Sequence, residues 1–208
     1  RLPPAVRVCR MLHTSEGAAM AMTDALPHRD EDTALAIRAK TEREAFGMLF
    51  DRWLPKIYGY IYRRIGHRET AEDLASRAFE KAYGAIRSFD AKKGSWSSWM
   101  YRIATNVLYD HYRVVKDVVL LEEDAAEAVP SKENLNLLVD RGFEAVRVRA
   151  AMQGLPERYK SAIALRFFEE RTTEEMMEIL KVKRGTLAVL MHRSLRALGR
   201  ILDERPDA

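Results

Sequence analysis

The chain has 208 residues, of which 47% are hydrophobic and 32% charged, with a net charge of +4. This length allows one large domain or two small ones, and the composition is that of a globular protein. The mild basic excess fits a nucleic-acid partner without requiring one, since solubility alone accounts for it. The single cysteine, Cys9, excludes an intrachain disulfide and a cysteine-based zinc site, and it suits a reducing cytoplasm.

Residues 1–30 are expected to form a tail outside the fold. They carry arginines but no continuous apolar core, so they do not resemble a secretory signal. The chain begins with Arg1, and Met11, Met20 and Met22 are candidate starts of translation. The longest apolar runs of the chain are too short for a bilayer, so we expect no membrane insertion.

The apolar residues that follow repeat with a helical period, and no convincing period-two alternation appears. Four of them share one face of a first helix: Phe46, Leu49, Phe50 and Trp53. Pro55 is expected to open a second helix and Gly66 to end it. A third helix is expected to start at Thr70, because Thr-Ala-Glu-Asp approximates a capping box, and Phe79 and Tyr83 belong to its apolar stripe.

A basic loop, Lys92-Lys93-Gly94, precedes a fourth predicted helix. The apolar positions of this helix repeat at helical spacing: Trp96, Trp99, Met100, Ile103 and Val107. Trp99 is assigned to the core. Tyr101, Arg102 and Asn106 lie off the stripe and are expected to contact DNA or another protein.

The composition then becomes acidic and alanine-rich, with Pro130 in the middle, which predicts a linker over residues 116–133. In the following block, Pro156 opens a helix and Thr172 caps a short one. A tight connection and a last helix from Gly185 complete a helix-turn-helix pattern. The sequence therefore predicts an all-α chain with two small domains, residues 31–115 and residues 134–204.

Catalytic chemistry has little support in the sequence. The glycines form no phosphate-binding loop, and the histidines have no metal-ligand spacing. Carboxylate pairs such as Glu122-Glu123 fall in the linker, where nothing desolvates them. We therefore expect no enzyme activity, no cofactor and no metal.

The loop and helix over residues 92–113 instead suit DNA. Lysines attract phosphates, serine hydroxyls pair with base edges, and aromatic rings stack on unpaired bases for about 1–3 kcal/mol each. Lys93, Ser95 and Trp96 combine these three chemistries within four positions.

Several motifs of the first block resemble region 2 of extracytoplasmic-function sigma factors. They are Ala71-Glu72-Asp73-Leu74, Phe79-Glu80-Lys81, Phe89-Asp90, Lys93-Gly94-Ser95-Trp96, and the helix from Trp99 through Arg102-Ile103-Ala104 and Asn106 to Asp110 and Arg113. Each motif is weak alone, but their order and spacing together are specific. The resemblance implies docking on the clamp helices of RNA polymerase by Glu72, Asp73, Ser76, Phe79 and Lys81. At Ser76 the family usually has glutamine.

The same resemblance implies recognition and melting of the minus-ten element by one group of residues: Lys92, Lys93, Ser95, Trp96, Arg102, Asn106 and Arg113. Leu155-Pro156-Glu157-Arg158 and the turn before Gly185-Thr186 resemble region 4 of the family. This implies contact with the polymerase flap and binding of the minus-thirty-five duplex. The residues expected on that duplex are Arg184, Thr186, His192, Arg193 and Arg196.

The last helix departs from the family pattern. Ala188 and Leu190 stand where the family typically has basic residues, and losing two phosphate contacts weakens DNA binding about ten- to a hundredfold. The turn also has Met177 and Lys181 where the family prefers alanine and glycine. We predict weak minus-thirty-five readout, compensated by the melting domain or a partner protein. Alternatives are an ordinary sigma factor with a different motif, or an apolar surface over residues 187–191 that an accessory factor covers.

The resemblance thus implies a cytoplasmic transcription initiation factor with no chemistry of its own. Its expected partners are core RNA polymerase, promoter DNA as duplex and melted strand, and an anti-sigma protein or accessory factor. One alternative is a helix-turn-helix regulator that acts without polymerase, although it leaves the Trp96 helix unexplained. Another is a sigma-like adaptor that binds polymerase without opening DNA.

Overall fold

The computed structural model describes residues 28–121 and 143–204, and within them every regular element is helical. The first group of helices is α1 (His28–Arg38), α2 (Arg43–Ile65), α3 (Arg68–Ala85) and α4 (Trp96–Leu121), with a 3-10 turn at Ile86–Ser88. The second group is α5 (Phe143–Gln153), α6 (Glu157–Ile163), α7 (Thr173–Leu180) and α8 (Arg184–Glu204). A π-helical turn, Ala164–Phe168, extends α6. The predicted all-α class is confirmed.

Some predicted segments lie outside the described residues. These are residues 1–27 of the predicted tail, residues 122–133 of the predicted linker, and residues 134–142 of the second predicted domain. Helix α4 continues to Leu121 and so includes the first positions assigned to the linker.

The prediction that Pro55 opens a helix is wrong, because Pro55 lies inside the continuous helix α2. An interior proline removes a backbone hydrogen bond and costs about 3 kcal/mol. Here the buried stripe runs past it without interruption, since Trp53 and Ile57 on either side are both in the core. Gly66 ends α2 as predicted, in a left-handed conformation with φ of 75°.

Helix α3 begins at Arg68 instead of the predicted Thr70. The imidazole of His67 provides the cap, because its Nδ1 accepts a hydrogen bond from the backbone N–H of Thr70 at 3.4 Å. The predicted capping box at Thr70 is therefore replaced by a histidine cap three residues earlier.

The helix-turn-helix is formed by α7 and α8. Thr172 and Glu175 cap α7 reciprocally, each side chain accepting from the other's backbone N–H, at 3.2 Å and 2.9 Å. Lys181 ends α7 in the left-handed conformation, with φ of 55°, where a residue other than glycine is strained. The strain expected at Lys181 is therefore present.

The two groups of helices pack against each other, with α7 lying on α4 and with α5 and α6 beside α2. A small apolar cluster built around Met152, Ile163 and Leu198 belongs to the second group alone. The main cluster contains residues of both groups, and those from the second group are Ala162, Ala164, Leu165, Met176, Ile179, Leu187 and Leu190. The two helical domains are therefore in contact in the described protein and share one apolar core.

Candidate polymerase and DNA interfaces

Helix α3 presents the polar residues that were predicted to contact polymerase. Glu72, Asp73, Ser76 and Lys81 are exposed on it. Glu72 pairs with a neighbouring arginine at 2.9 Å, and Lys81 pairs with Asp110 on α4 at 3.1 Å. Exposed ion pairs of this kind are worth about 0–1 kcal/mol, so these side chains remain available to a partner.

Aromatic side chains between α2 and α3 add an apolar part to this surface. Phe79, predicted as a docking residue, is buried and packs edge-to-face on Phe50, with ring centroids 4.9 Å apart. Tyr83 packs in the same way on Phe46, also at 4.9 Å. Phe50 and Tyr83 were expected in the core but are 36% and 50% exposed, because each lies at the edge of its apolar stripe.

Phe50 and Tyr83 form what we call the aromatic patch. Glu72, Ser76 and Tyr83 are spaced by four and then seven residues, so they share one face of α3. Sequence reasoning missed this patch because helical spacing marks an apolar stripe but not its edge. Aromatic side chains are enriched at protein interfaces, so the aromatic patch suits a protein partner.

The basic loop before α4 keeps Lys92 and Lys93 exposed. Asp90 fixes the shape of this loop by accepting from the backbone N–H of Lys92 at 3.0 Å, and it pairs with Nζ of Lys93 at 3.3 Å. These two contacts, the backbone bond first, hold the pKa of the Asp90 carboxyl below its ordinary value. The loop therefore presents two cations on a backbone that is held in place.

The structure places Trp96 in the core instead of at a DNA-facing surface. Its side chain is 0% exposed and packs edge-to-face on Phe46 and Phe89, with ring centroids 6.4 Å and 6.1 Å apart. Trp99 is also buried, as predicted. The ring of Trp96 fills space between α2 and the end of the basic loop, so it is not available for base stacking in this conformation.

Ser95 is half-buried, and its side chain stabilises the first turn of α4. Its Oγ accepts from the backbone N–H of Ser98 at 3.2 Å and lies 2.9 Å from the Oγ of Ser97. Ser97 and Ser98 are themselves buried. The Ser95 hydroxyl is thus engaged within the protein.

Further along α4, three polar residues assigned to DNA lie on one face. Arg102, Asn106 and Arg113 are spaced by four and then seven residues, which brings them to the same side of the helix. Asn106 and Arg113 are exposed, and Arg102 is partly exposed. Arg113 pairs with Asp110 at 3.3 Å. This face and the basic loop form the described part of the first domain that suits a DNA strand.

In the second domain, helix α8 keeps its predicted DNA-contacting residues on the surface. Thr186, His192, Arg193 and Arg196 are exposed, and Arg184 is exposed while pairing with Glu174 at 2.8 Å. Val189 lies on the same side and is 50% exposed. Leu190, where a basic residue was expected, is only 7% exposed and belongs to the main apolar cluster.

The contact between the domains is centred on Tyr101 and Glu169. The Tyr101 hydroxyl donates a hydrogen bond to the Glu169 carboxylate, which also accepts from the guanidinium of Arg63. Burial and then the charge of Glu169 raise the pKa of Tyr101 well above its ordinary value. Sequence reasoning placed Tyr101 off the core stripe of α4, but it could not show that the second domain covers it.

Other kinds of site find no support in the described ranges. No group of three or more His, Cys, Asp or Glu side chains lies together there in a way that could hold a metal ion. Within the same ranges, no helix has the length and apolar character needed to cross a membrane.

Comparison with known proteins finds matches for both helical domains. The family model for Sigma-70 region 2 matches residues 49–116, and the model for Sigma-70, region 4 matches residues 145–198. The chain is 32% identical to the ECF RNA polymerase sigma factor SigW of Bacillus subtilis, over 76% of this chain and 89% of the relative. It is 30% identical to the ECF RNA polymerase sigma factor BldN of Streptomyces coelicolor, over 86% of this chain and 70% of the relative.

Two solved structures with a similar fold are complexes with a second polypeptide. One is the sigma factor RpoE with the anti-sigma factor NepR from Bartonella quintana, at a TM-score of 0.59 and 18% identity, covering 76% of this chain and 96% of that one. Another is CnrH with the cytosolic domain of CnrY, at a TM-score of 0.62 and 21% identity, covering 83% and 97%. Because both region models match in order and relatives are matched over most of their length, the chain belongs to the extracytoplasmic-function family of RNA polymerase sigma factors.

Proposed function

We propose that this sigma factor docks on core RNA polymerase through the exposed face of α3 and opens promoters with the basic loop and the polar face of α4. One observation carries the proposal: a single domain presents an acidic and aromatic face on α3 together with a cationic loop and helix face. The first combination suits a protein partner and the second a nucleic-acid strand.

The residues assigned to each partner follow from exposure. On α3 these are Glu72, Asp73, Ser76 and Lys81, joined by the aromatic patch. On the DNA side they are Lys92, Lys93, Arg102, Asn106 and Arg113. Phe79 supports the docking surface from beneath, and Ser95 and Trp96 hold the first turn of α4 in place.

The second domain reads the minus-thirty-five duplex weakly in this proposal. The exposed side of α8 carries His192, Arg193 and Arg196, which suit phosphates. Val189 interrupts the cationic character of this side, and Leu190 is turned into the core. Promoter choice then rests more on the minus-ten element.

The protein acts in the cytoplasm and carries out no reaction itself, since nucleotidyl transfer belongs to the polymerase. We also propose a regulatory partner, an anti-sigma protein or accessory factor. The two similar structures support this, because each holds a sigma factor or its like bound to another polypeptide.

Run-off transcription with core polymerase and a promoter library tests the proposal. Specific transcripts are the expected result. Glu72→Lys should reduce polymerase affinity about tenfold, the size of a moderate interface contribution. Glu170→Lys is the matched control, because it makes the same charge change at an exposed residue in the second domain.

Two outcomes favour the alternatives. Polymerase binding without transcripts indicates a sigma-like adaptor. Duplex DNA binding without polymerase binding indicates a helix-turn-helix regulator. A Glu72→Lys protein that binds polymerase like the Glu170→Lys protein would show that docking does not use this face of α3.

A further inference from the structure

We infer that α1 forms a second wall of the site for the melted strand, in which Ile37 contacts an unpaired base and Lys40 contacts a phosphate. This role rests on the proposed function, because it requires that the basic loop and the polar face of α4 bind that strand. It assigns DNA contacts to a helix that carries none of the motifs found in the sequence.

Helix α1 is held in place by contacts within the first domain. Leu35 and Ala36 are buried in the main apolar cluster. The carboxylate of Asp32 is also buried, and it accepts from the indole Nε1 of Trp53 at 2.9 Å and from the guanidinium of Arg52. The helix packs on both α2 and α4. Its position relative to the start of α4 is therefore fixed.

One face of α1 runs along the basic loop. Near the start of the helix, the Oγ1 of Thr33 accepts from the backbone N–H of Trp96, the first residue of α4, at 3.4 Å. Ile37 lies four residues further on and so shares the face of Thr33. Lys40 follows in the turn after α1, where its backbone N–H donates to the carbonyl of Ile37 at 3.3 Å.

Lys40 adds a cation to the basic loop. The backbone hydrogen bond from Lys92 is the first cause that lowers the pKa of the Asp90 carboxyl, and the positive charges of Lys93 and Lys40 act in the same direction. Lys40 is therefore close enough to Asp90 for their charges to interact. These three lysines outnumber the carboxylates of Asp90 and of Glu178, which lies beside the loop from the second domain. The excess of positive charge suits the phosphates of a DNA strand.

Ile37 is an apolar side chain that the fold leaves exposed beside these cations. It is 49% exposed, whereas its neighbours Leu35 and Ala36 are buried. A single exposed isoleucine is common on protein surfaces, so its location is what matters. Apolar surface next to phosphate-binding cations is the combination that holds an unpaired base. Trp96 is buried, so Ile37 supplies an apolar contact that this tryptophan cannot offer.

Photocrosslinking in the complex with core polymerase tests the contact directly. Cys9→Ser removes the single cysteine of the chain. Ile37→Cys or Met48→Cys then places a benzophenone maleimide at one of two apolar positions of similar exposure, 49% and 51%. Each labelled full chain is assembled with core polymerase on a template that the promoter library selects. The label at position 37 should cross-link to the melted strand, and the label at position 48 should not.

Substitutions test whether the contacts contribute to affinity for the same template made with a pre-opened bubble. Ile37→Glu should weaken binding about tenfold and Met48→Glu less than about twofold, because only the first places a repelling charge against strand phosphates. Lys40→Ala should reduce the salt dependence by about one ion, and Lys40→Arg should preserve it. All four proteins should keep the affinity of the unaltered chain for core polymerase.

Several results would overturn the role of α1. Equal cross-linking from positions 37 and 48 would do so, as would equal template affinities of the Ile37→Glu and Met48→Glu proteins. A cross-link from position 37 to a polymerase subunit in place of DNA would make α1 a protein contact. If the unaltered chain gives no transcripts from any template, the proposed function fails and the role of α1 fails with it. Transcripts without a cross-link from position 37 would refute the role of α1 alone.

Discussion

The hydroxyl of Tyr101 on α4 donates a hydrogen bond to the carboxylate of Glu169 in the second domain, so the helix proposed to melt DNA is tied to the domain proposed to read duplex DNA. Burial, and after it the negative charge of Glu169, raise the pKa of Tyr101 well above its ordinary value near 10. Because the pKa of Tyr101 is higher in the folded than in the unfolded protein, its contribution to the free energy of unfolding is fully present below the ordinary pKa. This contribution is lost as the pH rises through the raised pKa.

A tyrosinate absorbance titration should therefore contain a late-ionising phenol that the Tyr101→Phe protein lacks. In the Glu169→Lys protein the same phenol should ionise at a lower pH than in the unaltered chain, because the negative charge that raises its pKa is replaced by a positive one. The free energy of unfolding should stay constant from neutral pH to about pH 9 as far as Tyr101 determines it, and then fall. Identical titrations for the unaltered chain and the Glu169→Lys protein would show that Glu169 does not control this phenol.

Alanine substitutions at Trp96 and Lys93 should distinguish a residue that packs in the core from one that contacts DNA. Trp96→Ala should lower the free energy of unfolding by about 3–5 kcal/mol, because it empties a completely buried site. Lys93→Ala should leave stability nearly unchanged, since this side chain is exposed and its ion pair with Asp90 is worth little.

For the affinity for DNA we expect the opposite order, with the larger direct effect from the substitution at Lys93. Lys93→Ala should weaken the binding of single-stranded DNA and reduce its salt dependence by about one ion. Urea unfolding and binding measured at several salt concentrations provide the two readouts. A Trp96→Ala protein with unaltered stability would contradict its place in the core.

Much of the fold could be predicted from local signals, and the failures have physical causes. Gly66 and Thr172 end or begin helices by chemistry that acts over four residues, so spacing alone located them. The prediction at Pro55 failed because the free-energy cost of an interior proline is outweighed by burial of the residues around it. Residue spacing does not measure that burial.

The candidate site was less predictable because it depends on contact between the domains. Tyr101 lies off the apolar stripe of α4, and its burial comes from Trp53 and Tyr60 on α2 together with Glu169 of the second domain. Leu190 is a comparable case: the sequence marked it as a lost basic residue, and the structure gives it a packing role. Motif spacing identifies residues of one helix, whereas the pairing of two domains has no short-range signal.

Val189 and Leu190 should respond oppositely to the same substitution. Val189→Arg adds a cation to the exposed side of α8, so it should tighten binding of duplex DNA about three- to tenfold at low salt and steepen the salt dependence by about one ion. Leu190→Arg places the cation in the main apolar cluster and should lower the thermal midpoint. Thermal midpoints and duplex affinities are compared in the two proteins. Equal stability of both would mean that Leu190 is not buried in solution.

The pair formed by Arg64 and Glu157 should show that a buried charge depends on its partner in the other domain. Arg64 is 0% exposed, and its guanidinium donates to the Tyr60 hydroxyl at 2.8 Å as well as to Glu157. Glu157→Gln leaves the buried guanidinium without a counter-charge, which should cost about 3–5 kcal/mol of unfolding free energy.

Adding Arg64→Met to Glu157→Gln should recover part of that loss, because it removes the uncompensated cation and leaves an apolar side chain of similar length. A double-mutant cycle by urea unfolding should therefore give a coupling free energy of about 1–3 kcal/mol between the two residues. Glu174→Gln is the control, since its pair with Arg184 is exposed on the surface and should show coupling below about 1 kcal/mol. Purely additive effects of Arg64→Met and Glu157→Gln would mean that these residues do not meet in solution, and that the domains are not in contact as described.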